Sequence, residues 1–147
     1  MISAEQEQFL KSVYDAAVKS GHIFPKMAAC EAALESGWGN SSLAKKANNL
    51  FGRKVWTAAI DTIIIPTKEF LKGKWVTVDA IWKKFPTFAE CLEDRMDILK
   101  NDDRYKRAIG ATTPEEYIME VSKVWSTDPN RGKTVLSIYN AHSDILK

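Results

Sequence analysis

The sequence predicts a mainly α-helical (α+β) single domain with one small antiparallel β lobe inserted between two helical groups. Three observations carry that reading. Helix-start signals recur at both ends of the chain, each followed by apolar residues at helical spacing. The middle, from about residue 55 to 83, is instead rich in Ile, Val, Thr and Trp and is punctuated by Pro66 and Gly73. The 147 residues contain no linker, repeat or low-complexity tract, and suffice for one core that hides roughly two-thirds of the unfolded surface. The domain therefore covers 1–147, with the β lobe over about 55–83.

Taken in order, Ser3 and Gln6 form a capping box ahead of a helix carrying Phe9, Leu10, Val13 and Ala17, which closes near Gly21. Pro25 suits the first turn of a second helix ending at Gly37, with Met27, Cys30 and Leu34 as its apolar stripe. A short third helix spans Ser42 to Asn48. "DTIIIPTKEFLKGKWVTVDAIW" reads as a hairpin or as three short strands, with the tight turn near Gly73. Thr87 with Glu90 caps "FAECLEDRMDILK", and Thr113, Pro114 and Glu116 cap "EYIMEVSKVW". Asp128 and Pro129 start the last helix, whose apolar side is Val135, Leu136, Ile138, Tyr139 and Ile145.

Composition narrows the function classes. With 45% apolar and 27% charged residues the chain is an ordinary globular protein, and a net charge of +2 is too mild for a nucleic-acid binder. Nine basic residues against three acids between Lys45 and Lys84 leave a local excess of +6, either a steering patch for an anionic polymer or a solvated basic face. Cys30 and Cys91 lack metal-like spacing and are expected as buried free thiols. His142 shares a face with Ile138 and Ile145 and reads as a boundary histidine. Neither metal nor cofactor is expected. The N-terminus carries no secretory signal and "TIIIP" is too short to cross a bilayer, so synthesis in the cytoplasm and no membrane insertion are expected.

One residue stands out chemically. Glu35 in "ALESGWG" falls in the last turn of the second helix, where the dipole end repels a carboxylate. At about 100° per residue it shares the helix shoulder with Glu31, beside Ala28 and Ala32. Desolvation, the helix end and a like charge all favour a protonated acid there, able to hand its proton to a glycosidic oxygen. The alternative is a surface glutamate paired with a lysine. A cleft between helices and a β lobe suits an extended ligand.

Resemblance sharpens this. "ALESGWGNSSLAKKANNLFGRK" (33–54), "TKEF" (67–70), "WKKFPTFAEC" (82–91), "RY" (104–105) and "TDPN" (127–130) together resemble, in order, the landmarks of glycoside hydrolase family 73, bacterial and phage peptidoglycan β-N-acetylglucosaminidases. The resemblance implies a lysozyme-like fold with a glycan groove and cleavage after N-acetylglucosamine in peptidoglycan strands. It assigns the catalytic acid to Glu35 and a second carboxylate to Glu69. Alternation along a strand lets Glu69 face the cleft while Lys68 faces away. Glu69 would then serve as base or as stabiliser of the cationic sugar. Rival readings are a lytic transglycosylase and a non-catalytic glycan-binding domain of the same fold. The setting implied is a monomeric enzyme, made in the cytoplasm, that acts on the wall after release, as a phage endolysin does.

Two positions depart from the family pattern, Trp125 and Arg131 standing where tyrosines are common. Trp125 offers an indole N–H and a stacking face for the acetamido group but no acceptor. Glu31 stands where glutamine is common and is expected to pair with a lysine. Trp38, Asn49 and Phe51 are candidate groove-wall residues, since sugar C–H faces pack on aromatic rings and hydroxyls seek amides; Trp38 alternatively plugs the core behind Gly37.

Overall fold

The computed structural model describes residues 1–147. Its elements are α1 (Ala4–Lys19), α2 (Pro25–Ser36), α3 (Ser42–Ala47), β1 (Thr62–Leu71), β2 (Lys74–Lys83), α4 (Phe88–Asn101), α5 (Lys106–Ile109), α6 (Pro114–Trp125) and α7 (Arg131–His142). Single 3-10 turns cover Asp103–Tyr105 and Ser143–Ile145.

The expected helices form, and their ends show which caps act. Ser3 Oγ accepts from the Gln6 N–H (3.1 Å) while Gln6 Oε1 accepts from the Ser3 N–H (2.9 Å), the full reciprocal box. Thr113 caps α6 through the Glu116 N–H, but Thr87 caps no backbone group; its hydroxyl donates to the Glu90 carboxylate instead. The last helix starts at Arg131 rather than at Asp128. Asp128 Oδ1 accepts from the Asn130 N–H (2.9 Å), which makes Asp128–Asn130 a turn ahead of the helix. The short segment of residues 103–109 that joins α4 to α6 has too few residues to show a helical period.

α2 differs most from expectation. In place of one apolar stripe, every residue from Met27 to Ala33 is buried, because α1 lies against one side and α7 against the other. A helix covered all round sits at the centre of its domain. Four alanines (Ala28, Ala29, Ala32, Ala33) let the neighbours approach closely, and Leu10, Val13, Leu92, Met96, Ile118, Val121 and Val135 complete the core around them. Cys30 and Cys91 are free and buried within it, and burial pushes each thiol up to about 12.

The β segment is one hairpin, not three strands. Its ten-residue strands pair from Thr62↔Lys83 to Leu71↔Lys74. Lys72 (φ 51°) and Gly73 (φ 76°) make a two-residue turn with positive φ at both positions, the kind whose twist matches the strands. One face, with Ile63, Ile65, Thr67, Glu69, Val76, Val78 and Trp82, is half-buried; the other presents Pro66, Lys68, Phe70 and Trp75 to solvent. Glu69 and Lys68 thus fall on opposite faces, as strand alternation requires. An isolated hairpin is marginal in water. This one is stitched at its base by Val55 N–H to Ile81 O and Lys83 N–H to Arg53 O, both 2.9 Å.

Candidate active site

The end of α2 is built to stop sharply. Gly37, Trp38 and Gly39 all adopt positive φ (57°, 59° and 82°). Ser36 Oγ donates to Ala32 O (2.6 Å) and accepts from the Gly39 N–H (2.9 Å), which ties the turn back to the helix. Gly39 is required twice over, by its backbone and by contact: a Cβ there would lie 2.5 Å from the Phe9 ring. Glu35 therefore rides on the last turn of a rigid, central helix.

Its surroundings are ionic. Glu35 Oε1 accepts from Arg131 Nε at 2.8 Å, and Oε2 has no protein partner. The Glu35 side chain keeps 27% of its exposure, whereas Arg131 keeps 2%. Arg131 also donates through Nη1 to Ser122 Oγ (2.8 Å) and through Nη2 to Glu31 Oε2 (2.7 Å). Arg95 of α4 donates through Nη2 to the same Glu31 oxygen at 2.6 Å. A chain of alternating charges, Arg95–Glu31–Arg131–Glu35, thus runs from the core to the surface.

Glu31 corrects an expectation. It is wholly buried and pairs with two arginines, not with a lysine. Burial alone would raise its carboxyl, but the Arg95 and Arg131 guanidiniums outweigh that and hold it below the usual carboxylate range. Arg95 leaves Nε and Nη1 without hydrogen-bond partners. Its guanidinium lies 3.9 Å from the Trp125 ring centroid and 4.4 Å from that of Phe51, so aromatic faces stand in for acceptors.

Glu69 is placed apart from Glu35. Its Oε1 lies 3.3 Å from Lys54 Nζ in an exposed pair, and Lys54 also stands over the Trp82 ring. Two surface depressions share Trp125, and neither is lined by Glu35 or Glu69 itself. A groove of about 550 Å³ is lined by Ser122, Lys123, Trp125, Asp128 and Gly132 among others. A second, of about 390 Å³, is lined by Trp125, Phe51, Tyr105, Arg53 and Lys54. The first abuts Ser122, which holds Arg131 and through it Glu35; the second includes Lys54, which holds Glu69.

The other predicted wall residues divide. Phe51 and Trp125 line the depression. Asn49 sits behind the wall: it is buried and its amide is fully engaged, Nδ2 donating to Arg53 O and Lys83 O and Oδ1 accepting from the Arg53 N–H, all at 2.9 Å. It braces the hairpin base, and burial with both N–H donors engaged withholds it from a sugar. Trp38 packs half-buried on the core with its ring edge-on to His142 at 6.0 Å, outside both grooves.

Sequence reading missed Arg95 and the pairing of Arg131 with Glu35. A signal existed: each of Glu31 and Arg95 is a lone charge at a position otherwise occupied by buried apolar side chains of its helix. No group of three or more His, Cys, Asp or Glu is arranged to hold a metal ion, and no helix is long and apolar enough to cross a membrane.

Comparison with known proteins bears on what this arrangement does. The chain is 31% identical over 148 residues to a probable N-acetylmuramidase of Lactococcus lactis subsp. lactis, covering 91% of this chain and 34% of that protein. It is 32% identical over 143 residues to the exo-glucosaminidase LytG of Bacillus subtilis, covering 91% and 50%. The chain thus spans a third to a half of the length of these relatives. Among solved structures, the catalytic domain of the autolysin Auto from Listeria monocytogenes superposes with a TM-score of 0.82 at 26% identity, over 99% of this chain and 88% of that one. The glycoside hydrolase domain of Salmonella typhimurium FlgJ, C-terminally truncated, shares the fold with a TM-score of 0.75 at 24% identity, over 92% and 96%. The family model described as mannosyl-glycoprotein endo-beta-N-acetylglucosaminidase matches residues 11–144, and this chain belongs to that glucosaminidase family.

Proposed function

We propose that this domain hydrolyses the β-1,4 bond after N-acetylglucosamine in peptidoglycan strands, with Glu35 as general acid and Glu69 as base or cation stabiliser. The observation that carries the reading is the pair of depressions that meet at Trp125, one lined by Ser122, which holds Arg131 beside Glu35, the other by Lys54, the partner of Glu69. For this chemistry the scissile linkage of a bound glycan strand would lie between the two carboxyls. Glu35 would pass its proton to the bridging oxygen as the C1–O bond breaks, leaving a cationic sugar. Glu69, freed from Lys54, would then either take a proton from the attacking water or stabilise that cation. Water adds to C1, and the new chain end is a reducing N-acetylglucosamine.

Relatives named for either sugar make the bond itself part of the proposal. Digestion of purified cell walls followed by mass spectrometry tests it. Reducing N-acetylglucosamine ends are expected; reducing N-acetylmuramic acid ends would move the bond, and anhydro-muramyl ends would indicate transglycosylation. Glu35→Gln is expected to abolish wall clearing, by at least about 10³-fold, and Glu69→Gln to reduce it strongly but incompletely. Unchanged clearing by Glu35→Gln would shift catalysis elsewhere, and absence of clearing by the parent would make the domain a glycan binder. The domain is expected to act as a monomer on the cell wall.

A further inference from the structure

Glu35 shares its strongest contact with a residue that cannot reach solvent freely. Arg131 is 2% exposed and held at three points, by Ser122 of α6, by Glu31 of α2 and by Glu35 itself. Gly132 seats it: a Cβ there would lie 2.8 Å from Met119 Sδ, so the start of α7 presses directly on α6. Glu31 in turn is anchored by Arg95, whose guanidinium lies against the Trp125 and Phe51 rings. A planar fork locked at Ser122 and Glu31 cannot follow a carboxylate that swings; it can only select one position for it.

We infer that Arg131 is the positioning residue for Glu35, pinning Oε1 so that the transferable proton resides on Oε2. The inference rests on the reading of Glu35 as the acid. Because Nε–H donates to Oε1, the neutral acid carries its hydrogen on the oxygen without a protein partner. When that proton moves to the glycosidic oxygen and the C1–O bond breaks, the charge left on Glu35 meets a guanidinium already in place. Nothing needs to reorganise, which is the condition under which a fixed charge lowers a barrier.

The other charged groups nearby are engaged elsewhere. Arg131 from α7 is the charge in direct contact. Glu31 on the same helix is screened by Arg131, and Arg95 of α4 reaches only Glu31. Lys123 of α6 is turned to Glu120, and Lys54 beside the hairpin to Glu69. Arg131 is thus the cation in direct contact with Glu35, and its loss removes the group that fixes Oε1.

The test measures initial clearing of purified walls by the full chain across wall concentrations at fixed pH, with thermal melts confirming that each variant is folded at the assay temperature. For Arg131→Met a fall of about 100-fold in kcat is expected, the cost of a misplacement near 1 Å, with KM close to that of the parent. Arg131→Lys keeps the charge but not the fork; its KM stays near that of the parent while its kcat remains about tenfold low. A purely structural role predicts losses that track only the folded fraction. Folded Arg131→Met with kcat within about twofold of the parent would overturn the inference. If that variant does not fold, Arg131→Lys decides alone, and the parental rate in it overturns the three-point fork. Glu35→Gln separates the two ideas: full clearing by it removes the acid assignment, whereas its inactivity beside a normal Arg131→Met removes only the positioning role.

Discussion

Replacing Glu31 with glutamine isolates the energetics of the charge chain behind the site. Glu31 is 0% exposed and supplies one oxygen to two buried guanidiniums, at 2.6 and 2.7 Å. The variant keeps the volume and removes the charge, leaving Arg95 without an anion and Arg131 with Glu35 alone. Breaking a buried pair from one side costs about 3–5 kcal/mol, because the remaining charge stays desolvated. For a domain of this size that corresponds to a melting point lower by roughly 6–20 °C. Urea melts at pH 7 measure it directly. The pH dependence has a defined sign. The Glu31 carboxyl is held below its ordinary value of 4.5, so its contribution is complete above that pH and lost as pH falls through the folded-state value. The gap between parent and variant should therefore narrow on acidification. A difference under about 1 kcal/mol at pH 7, or one that widens toward pH 3, would show that Glu31 does not neutralise the two arginines. Glu31→Met combined with Arg95→Met should recover part of the loss, since an apolar pair of similar volume removes both desolvation costs.

Further outcomes follow from the same coordinates. His22 is buried, accepts from the Phe24 N–H through Nδ1 at 2.9 Å, and is pushed down from 6.5 to about 4, first by burial and then by Arg95. Its depressed value means stability is complete above pH 6.5 and falls by about 3 kcal/mol as pH drops through 4; urea melts of His22→Asn should lack that slope. Gly39→Ala drives a methyl group to 2.5 Å from the Phe9 ring at φ 82° and should cost about 2–4 kcal/mol by thermal melt, with loss of wall clearing at elevated temperature before the parent loses it. Lys72→Asn places a residue suited to positive φ in the hairpin turn, and should slow amide exchange along β1 and β2 by about 0.5–1 kcal/mol without lowering activity.

The helices and the hairpin were legible because their signals are local. Ser3 with Gln6, Pro25 followed by Gly37, and the positive-φ turn at Gly73 each express a backbone requirement between near neighbours in the chain. Residues 103–109 were not legible, as a single turn carries no period. The two-strand register likewise needed the turn at Lys72–Gly73 to choose between a hairpin and three strands.

The candidate site divides in the same way. Residue type and position marked Glu35 at a helix end, while Glu69 came from the family resemblance, with strand alternation supplying only the face it could take. Which partner each carboxylate meets is a matter of tertiary packing. Arg131 lies ninety-six positions from Glu35, and Arg95 sixty-four from Glu31. Asn49 looked like a sugar ligand until the hairpin base folded over it and took both its N–H donors. Amino-acid order thus determined where an acid stands on its helix. The closure of α4, α6 and α7 around α2 decided which cations face it, because Coulomb and hydrogen-bond terms act through distances that the linear chain does not contain.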